Sequence, residues 1–343
     1  MDIEEILYSE DFVSERDDLK GPIIVVGLPR SGSSFLSDLI SQIKDCYAFD
    51  DLYLYRQAQS LGALGELTPD QLDKLLFFLG WQIRARLRHS EFAVPNVLEE
   101  HVDKMNSSIA RLFSADRART WRTWHQLQKE WLARLTYVSG ANIWGYKCPG
   151  DFANIDMLLK VYPDAKFIFL LRHPADVLSS YKHLANNPND GDPDYYHPAA
   201  YAAYWKAAVR AYRRQQEVRA ARILLIKFEN LINDPDNEIS RIRDFMGLGP
   251  ASDRLIVKKP NSSFGKKSRE GLSGLETTIL RKIASEELEY MGYELMSRPH
   301  KLSDYTAFLK TTFVFVVFQI KRVFTNKQGG WRAVIAKLRA LAK

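Results

Sequence analysis

Three unbroken apolar runs stand out along the chain: Pro22–Gly27 (PIIVVG), Ala165–Leu171 (AKFIFLL) and Arg222–Phe228 (RILLIKF). Short runs of this kind predict strands buried on both faces of a parallel sheet. After the first run the period of the apolar positions changes. Phe35, Leu36, Leu39, Ile40 and Ile43 recur at helical spacing, so the chain opens as strand, tight loop, helix. Pro174 opens a second helix carrying Val177, Leu178 and Tyr181, and Tyr201–Ala221 and Pro235–Met246 read as two more. From Thr68, where Thr-Pro-Asp-Gln makes a good helix start, to about Tyr137 the pattern stays helical. Its Trp-bearing stretches, around Trp81 and Trp121–Trp131, are expected to pack over the sheet or to shape a cleft. Asn186–Pro198 (NNPNDGDPDYYHP) reads as a turn-rich surface loop. Strands alternating with helices imply an α/β fold: three layers, a parallel sheet with right-handed crossovers and helices on both faces. The expected organisation is an N-terminal extension over 1–20, one α/β domain over 21–298 with a helical insertion at about 68–137, and a C-terminal tail over 299–343.

Composition narrows this little. The chain has 343 residues, 46% apolar and 26% charged, enough to bury a core. Its two cysteines, Cys46 and Cys148, build no disulfide framework and suggest a reducing compartment. Its seven histidines show no metal-ligand spacing, so no metal is expected. The opening MDIEEILYSEDFVSERDDLK is acidic and lacks a basic stretch leading into an apolar one, so no signal peptide or anchor is expected. The N-x-S sequons at Asn106 and Asn261 then read as chance matches.

Charge is more informative. From His300 to Lys343 nine Lys/Arg face one acid, Asp304, a net +8, while the rest carries 39 basic and 41 acidic residues, a net −2. The body therefore lacks the charge of a nucleic-acid-binding domain. The tail holds an apolar run, Thr311–Ile320 (TTFVFVVFQI), too short to cross a bilayer. A short basic helix is expected over Trp331–Lys343. Two readings of residues 305–343 stay open: packing against the body or a partner subunit, and peripheral contact with a membrane surface. The expected location is cytoplasmic, with or without such a membrane contact.

The loop after the first strand reads Gly27-Leu-Pro-Arg-Ser-Gly-Ser-Ser34. A glycine-bearing loop that runs from a strand into a helix can cradle a phosphate with its N–H groups and the helix N-terminus. Gly27-x4-Gly32 copies the spacing of a Walker A loop and makes the fold P-loop-like, but Ser33 stands where a nucleotide triphosphatase has lysine. The cation sits inside the loop, as Arg30. A second strand-to-helix junction reads Arg172-His-Pro-Ala-Asp-Val-Leu-Ser-Ser180-Tyr, so an arginine and a serine can converge on one phosphate.

At this point the chain resembles the sulfotransferases that use 3′-phosphoadenosine 5′-phosphosulfate (PAPS). The segment GLPRSGSSFL is similar to their 5′-phosphosulfate loop, and FLLRHPADVLSSY to their 3′-phosphate motif. IKFENLINDPDNEISRIRDFMGL and the helix ETTILRKIASEELEYMGYEL also look familial, and Ser262-Ser-Phe-Gly-Lys-Lys-Ser-Arg269 resembles a later loop over the 3′-phosphate. The resemblance runs over about residues 21–296. It implies a donor site of Arg30, Ser31, Gly32, Ser33, Ser34, Arg172, Ser180, Lys266 and Lys267, binding PAPS and its product PAP. It also implies a hydroxyl-type acceptor: carbohydrate, lipid or small molecule.

In-line sulfuryl transfer places negative charge on the bridging oxygen of the leaving group, so catalysis needs cations there and a base for the acceptor hydroxyl. Arg30 and then Lys147, in Trp-Gly-Tyr-Lys147-Cys-Pro, are the cations. The base is harder to name. The Lys-Thr-His context of cytosolic relatives is absent. Relatives with this type of loop carry a glutamate after the first helix, where this chain has Tyr47-Ala-Phe-Asp50-Asp51-Leu-Tyr. The role falls to Asp51 or Asp50, with Glu99, Glu100 and His101 as alternatives. Adjacent residues on an extended segment point to opposite sides, so only one aspartate is expected to reach the acceptor. A P-loop kinase-like phosphotransferase stays open as a rival, though the missing Walker lysine counts against it. So does a non-catalytic member that only binds nucleotide, which the missing glutamate leaves in play.

Overall fold

The computed structural model describes residues 3–9, 14, 16–89, 97–114, 123–185, 196–249 and 271–325. In chain order the elements are α1 (Ile3–Tyr8), β1 (Lys20–Gly27), α2 (Ser33–Ser41), β2 (Cys46–Phe49), α3 (Leu54–Ser60), α4 (Pro69–His89), α5 (Glu99–Ser114) and α6 (Trp124–Val138). There follow β3 (Ile143–Lys147), α7 (Ile155–Val161), β4 (Lys166–Leu171), α8 (Pro174–Ala185), α9 (Pro198–Arg219) and β5 (Ile223–Lys227). The chain continues through α10 (Phe228–Asn233), α11 (Pro235–Met246), α12 (Gly274–Met291) and α13 (Leu302–Thr325).

The strands form one parallel sheet in the order β2-β3-β1-β4-β5. The period-2 alternation of each strand explains the layers. Ile24 and Val26 of β1, with Phe167 and Phe169 of β4, point into the larger apolar cluster, which holds Trp124 and Trp131 of α6 and Trp205 of α9. Ile23, Val25, Ile168 and Leu170 point the other way, onto Leu36 and Leu39 of α2 and Ile239 and Ile242 of α11. This is the expected three-layer α/β arrangement, and the three apolar runs of the sequence are β1, β4 and β5.

Two strands were not foreseen. β2 is only four residues long, and β3 (IWGYK) is broken by a glycine and ends on a lysine. Gly145 is needed there because a Cβ would collide with the Ile23 carbonyl of β1. The tryptophans also divide. Trp124 and Trp131 are core, with Trp131 edge-on to Phe49 of β2, whereas Trp81 is exposed on α4. It stacks near Phe78 and, with Gln57, Leu61 and Phe77, lines an apolar groove of about 690 Å³ between α3 and α4.

The N-terminal segment is tied into the body. Arg134, fully buried on α6, donates to the carbonyls of Leu7 and Ser9 at 2.6 and 2.9 Å while pairing with Glu130. The apolar run of the tail lies within the continuous helix α13. Among the described residues no helix is long and apolar enough to cross a membrane. The expected helix over Trp331–Lys343 and most of the Asn186–Pro198 loop lie outside the described residues.

Candidate functional site

All five strands end on the same edge of the sheet, where β1 lies between β3 and β4 and the chain leaves in opposite directions. Such a switch point opens a crevice at the carboxyl ends of the strands. β1 runs into the glycine loop, β2 into Asp50 and Asp51, β4 into Arg172 and β5 into Phe228, while β3 ends on Lys147.

The loop's shape follows from its backbone. Arg30 and Gly32 both adopt left-handed φ, 70° and 93°, and Gly32 caps α2. The Ser31 amide closes a turn onto the Leu28 carbonyl at 3.2 Å, so the amides left for an anion are those that open α2, whose first N–H groups have no partner within the helix. Gly27 is required because a Cβ would collide with the Leu170 carbonyl of β4. At Gly32 a Cβ would collide with the ring of Phe228.

The second junction meets the loop here. Arg30 Nε donates to Ser180 Oγ at 3.2 Å, and Arg172 Nη1 donates to the Arg30 carbonyl at 3.3 Å. The Arg172 guanidinium lies 4.7 Å from the centre of the Phe228 ring, so one aromatic side chain supports both the loop glycine and the arginine. The turn is held from behind. Trp205 Nε1 donates to the Arg172 carbonyl at 3.1 Å, and Glu229 accepts from the His173 amide at 2.7 Å and from Tyr293 at 3.0 Å. Burial pulls the Arg172 pKa below the usual arginine value, opposed by Asp176 and Glu229. An arginine so placed is still a cation at neutral pH. Among the described residues, Arg172 Nε and the buried hydroxyl of Ser31 have no hydrogen-bond partner. Two guanidinium groups, orphaned donors and a helix N-terminus fit a phosphate.

On the other side of the loop lies a cluster of two cations and two carboxylates. Lys147, almost fully buried, donates to Ser34 Oγ at 2.9 Å and meets Asp50 Oδ1 at 2.9 Å and Asp51 Oδ1 at 2.6 Å. Arg86 of α4 closes the ring with a fork, Nη1 to Asp50 Oδ2 at 3.0 Å and Nη2 to Asp51 Oδ2 at 2.8 Å. Ser34 donates to Asp50 Oδ2 at 3.3 Å, and Tyr53 to Asp51 Oδ1 at 2.8 Å. Gln82, one turn before Arg86, donates to the Asp51 carbonyl at 2.6 Å.

This corrects the expectation that the two aspartates diverge. Asp51 has φ +58°, so the chain has already left the extended geometry of β2 and the second carboxylate swings back beside the first. Burial alone would raise the Asp51 pKa. Lys147, Arg86 and the Tyr53 hydroxyl together outweigh it and hold the carboxyl below its usual value.

The alternatives to the aspartates are not part of this cluster. Glu99 pairs with Arg84 and Arg88, and His101 lies edge-on to Tyr8 of α1, as Glu100 faces the same tyrosine. Arg30 of the loop thus meets Ser180 and Arg172, while Ser34 at the start of α2 meets Lys147 and Asp50, with Asp51 reached through Lys147. Lys266 and Lys267 lie outside the described residues. Arg86, Gln82, Tyr53 and Phe228 were not singled out from sequence. No group of three or more His, Cys, Asp or Glu residues that could hold a metal occurs among the described residues.

No curated protein matches the chain. Among solved structures it is similar to the sulfotransferase domain of the Synechococcus PCC 7002 olefin synthase, at 19% identity and a TM-score of 0.48, covering 91% of this chain and 98% of that one. Sulfotransferase STF9 from Mycobacterium avium gives 19% and 0.48, covering 83% and 80%. The sulfotransferase domain from the curacin biosynthetic pathway gives 15% and 0.48, covering 81% and 99%. The profile of the sulfotransferase family matches residues 22–252, from β1 through the glycine loop, the Lys147 cluster and the Arg172 turn to just beyond α11. The chain belongs to the sulfotransferase family.

Proposed function

We propose that this sulfotransferase takes its sulfuryl group from PAPS and gives it to a hydroxyl-type acceptor: a carbohydrate, a lipid or a small molecule. The observation that carries the reading is the meeting of the two anion-binding junctions, Arg30 on Ser180 and Arg172 on the Arg30 carbonyl. A donor with phosphates at both ends of one nucleoside needs such a pair. PAPS would supply the activated sulfuryl group and depart as PAP. The loop amides, Ser31, Ser33 and Ser34 hold the 5′ end, and Arg172 and Ser180 hold the 3′-phosphate.

Arg30 and Lys147 provide fixed positive charge beside the loop, where charge grows on the leaving oxygen. Asp51 is the better base of the pair. Its side chain is 23% exposed against 6% for Asp50, so it is the carboxylate an acceptor can approach. Its depressed pKa keeps it ionised, without a proton of its own, at neutral pH. Arg86 keeps both carboxylates in place.

The test is transfer of labelled sulfate from PAPS to a panel of hydroxyl acceptors. Asp51→Asn is expected to lower turnover at least about a hundredfold while PAP affinity stays unchanged. Full activity in Asp51→Asn would reject it as the base. PAP binding with no transfer to any acceptor, in the wild type, would favour a member that binds nucleotide without catalysis.

A further inference from the structure

The last described helix has two unlike sides. On one, Phe308, Thr312 and Phe315 seat α13 on the body: the His197 ring lies 5.4 and 5.1 Å from the two phenylalanine rings and its Nε2 meets Thr312 Oγ1 at 3.1 Å. These positions, four and three residues apart, lie on one face of the helix. On the other, Leu302, Tyr305, Leu309, Phe313, Val316 and Ile320 form a stripe, each 46–84% exposed. Steps of three and four residues put all six within an arc of about 100°, and the stripe runs for about 27 Å. A helix held at the surface by one face while it turns leucine, phenylalanine and isoleucine to solvent needs an occupant for the other.

Charge decides which. Lys301 just before the helix and Lys310 and Lys321 within it are exposed, the last two together on one flank of the stripe at helical spacing. The only acid in the helix, Asp304, is turned to its own N-terminus, where it accepts from the Lys301 amide. Beyond the stripe, residues 322–343 add Arg322, Lys327, Arg332, Lys337, Arg339 and Lys343 with no acid at all. A second copy of the chain would set lysine against lysine. A surface that is apolar at depth and anionic at its rim complements the stripe and its borders together.

We infer that α13 is a peripheral membrane dock. Its apolar stripe enters the interface of an anionic bilayer, with the helix lying in the membrane plane and the basic residues on lipid headgroups. Apolar insertion and electrostatic attraction are the two signals that stable reversible anchoring requires. The exposed carbonyl and amide groups pose no obstacle, since every interior residue of the helix satisfies its backbone internally.

Flotation of the full chain with phosphatidylcholine vesicles, and with vesicles about one-third phosphatidylserine, tests this. Recovery is expected with the anionic vesicles, at least about tenfold above the zwitterionic ones, and to fall in about 0.5 M salt. Leu309→Glu/Phe313→Glu is expected to weaken anionic-vesicle binding at least about tenfold. Both residues are exposed, so the far-ultraviolet circular dichroism and PAP affinity of the variant should match wild type. Lys310→Glu/Lys321→Glu should weaken binding and flatten its salt dependence. Equal recovery from both vesicle types, or unchanged binding by the Leu309/Phe313 variant, would overturn the inference. So would a dimer in solution that the same variant dissolves, since it would assign the stripe to a second copy.

Discussion

Asp50 and Asp51 are adjacent carboxylates that would repel each other if left alone, and each is paired with both Lys147 and Arg86. Lys147 and Arg86 each reach both carboxylates, the lysine with one ammonium on the two Oδ1 atoms and the arginine with two separate nitrogens of a rigid fork on the two Oδ2 atoms. Arg86→Ala removes one of the groups that oppose burial at Asp51, so its pKa rises. The acid limb of the kcat/KM profile is then expected to move to higher pH, with Arg86→Lys in between; an unmoved limb would mean that the arginine is not coupled to the base. The paired carboxylate contributes stability that is fully present above the ordinary value of 3.8 and is lost as pH falls through its depressed value. Asp151 has the opposite sign. Burial lifts its carboxyl to about 6, against hydrogen bonds from Asn154 and others that lower it. Its protonated form favours the folded state, fully below about 4, and that stability is lost as pH rises through about 6. Asp151→Asn should therefore flatten the change in Tm between pH 4 and 7; an unaltered slope would show that another group titrates there. At this scale the sequence was informative where two motifs imply that their residues converge, as for Arg30, Arg172 and Ser180, which do meet. Arg86 comes from a helix that begins 18 residues after Asp51, and no local spacing announces such a partner. Nor could the period of a strand show that Asp51 would leave it with a positive φ.

Elements were legible in proportion to how much apolar surface they bury. β1, β4 and β5 sit in the middle or on the far side of the sheet as continuous runs, and α2, α8 and α11 follow proline or glycine punctuation. β2 and β3 hide because four residues leave no period to count, and because Gly145 and Lys147 answer to neighbours that lie elsewhere in the sequence. Two glycines differ in the same way. Gly32 has φ 93° and the Phe228 ring against its Cα, whereas Gly62 has φ 67° and nothing within 4 Å of a built Cβ. Gly62→Ala should cost only backbone strain, about 1–2 kcal/mol, with PAP affinity intact. Gly32→Ala should add a displaced Phe228 and so a displaced Arg172, lowering PAP affinity at least about tenfold. Thermal melts with PAP titrations on both variants check this, and equal PAP affinity in the two would contradict the shared support of loop and arginine.

The whole molecule joins an almost neutral body to a basic end. The family match stops at residue 252, yet the body continues into α12. Glu287, buried on that helix, pairs with Arg210 of α9 at 2.6 Å, and Lys227 at the end of β5 donates to the Met291 carbonyl at 2.7 Å. Through Tyr293 and Glu229 this layer reaches the Arg172 turn, so the arginine is set by residues spread from β4 to beyond α12. The parallel sheet could be inferred from alternation alone, but which strands flank β1 depends on crossovers that leave no local trace. The proposed donor requires a crevice that binds a nucleoside carrying both a 3′- and a 5′-phosphate. Isothermal titration of PAP beside ATP, for wild type and Arg172→Ala, measures that directly. PAP is predicted to bind at least about tenfold more tightly than ATP, and the substitution to abolish most of that preference, as loss of a charge-assisted phosphate contact should. Tighter binding of ATP, or a PAP affinity indifferent to Arg172→Ala, would contradict it.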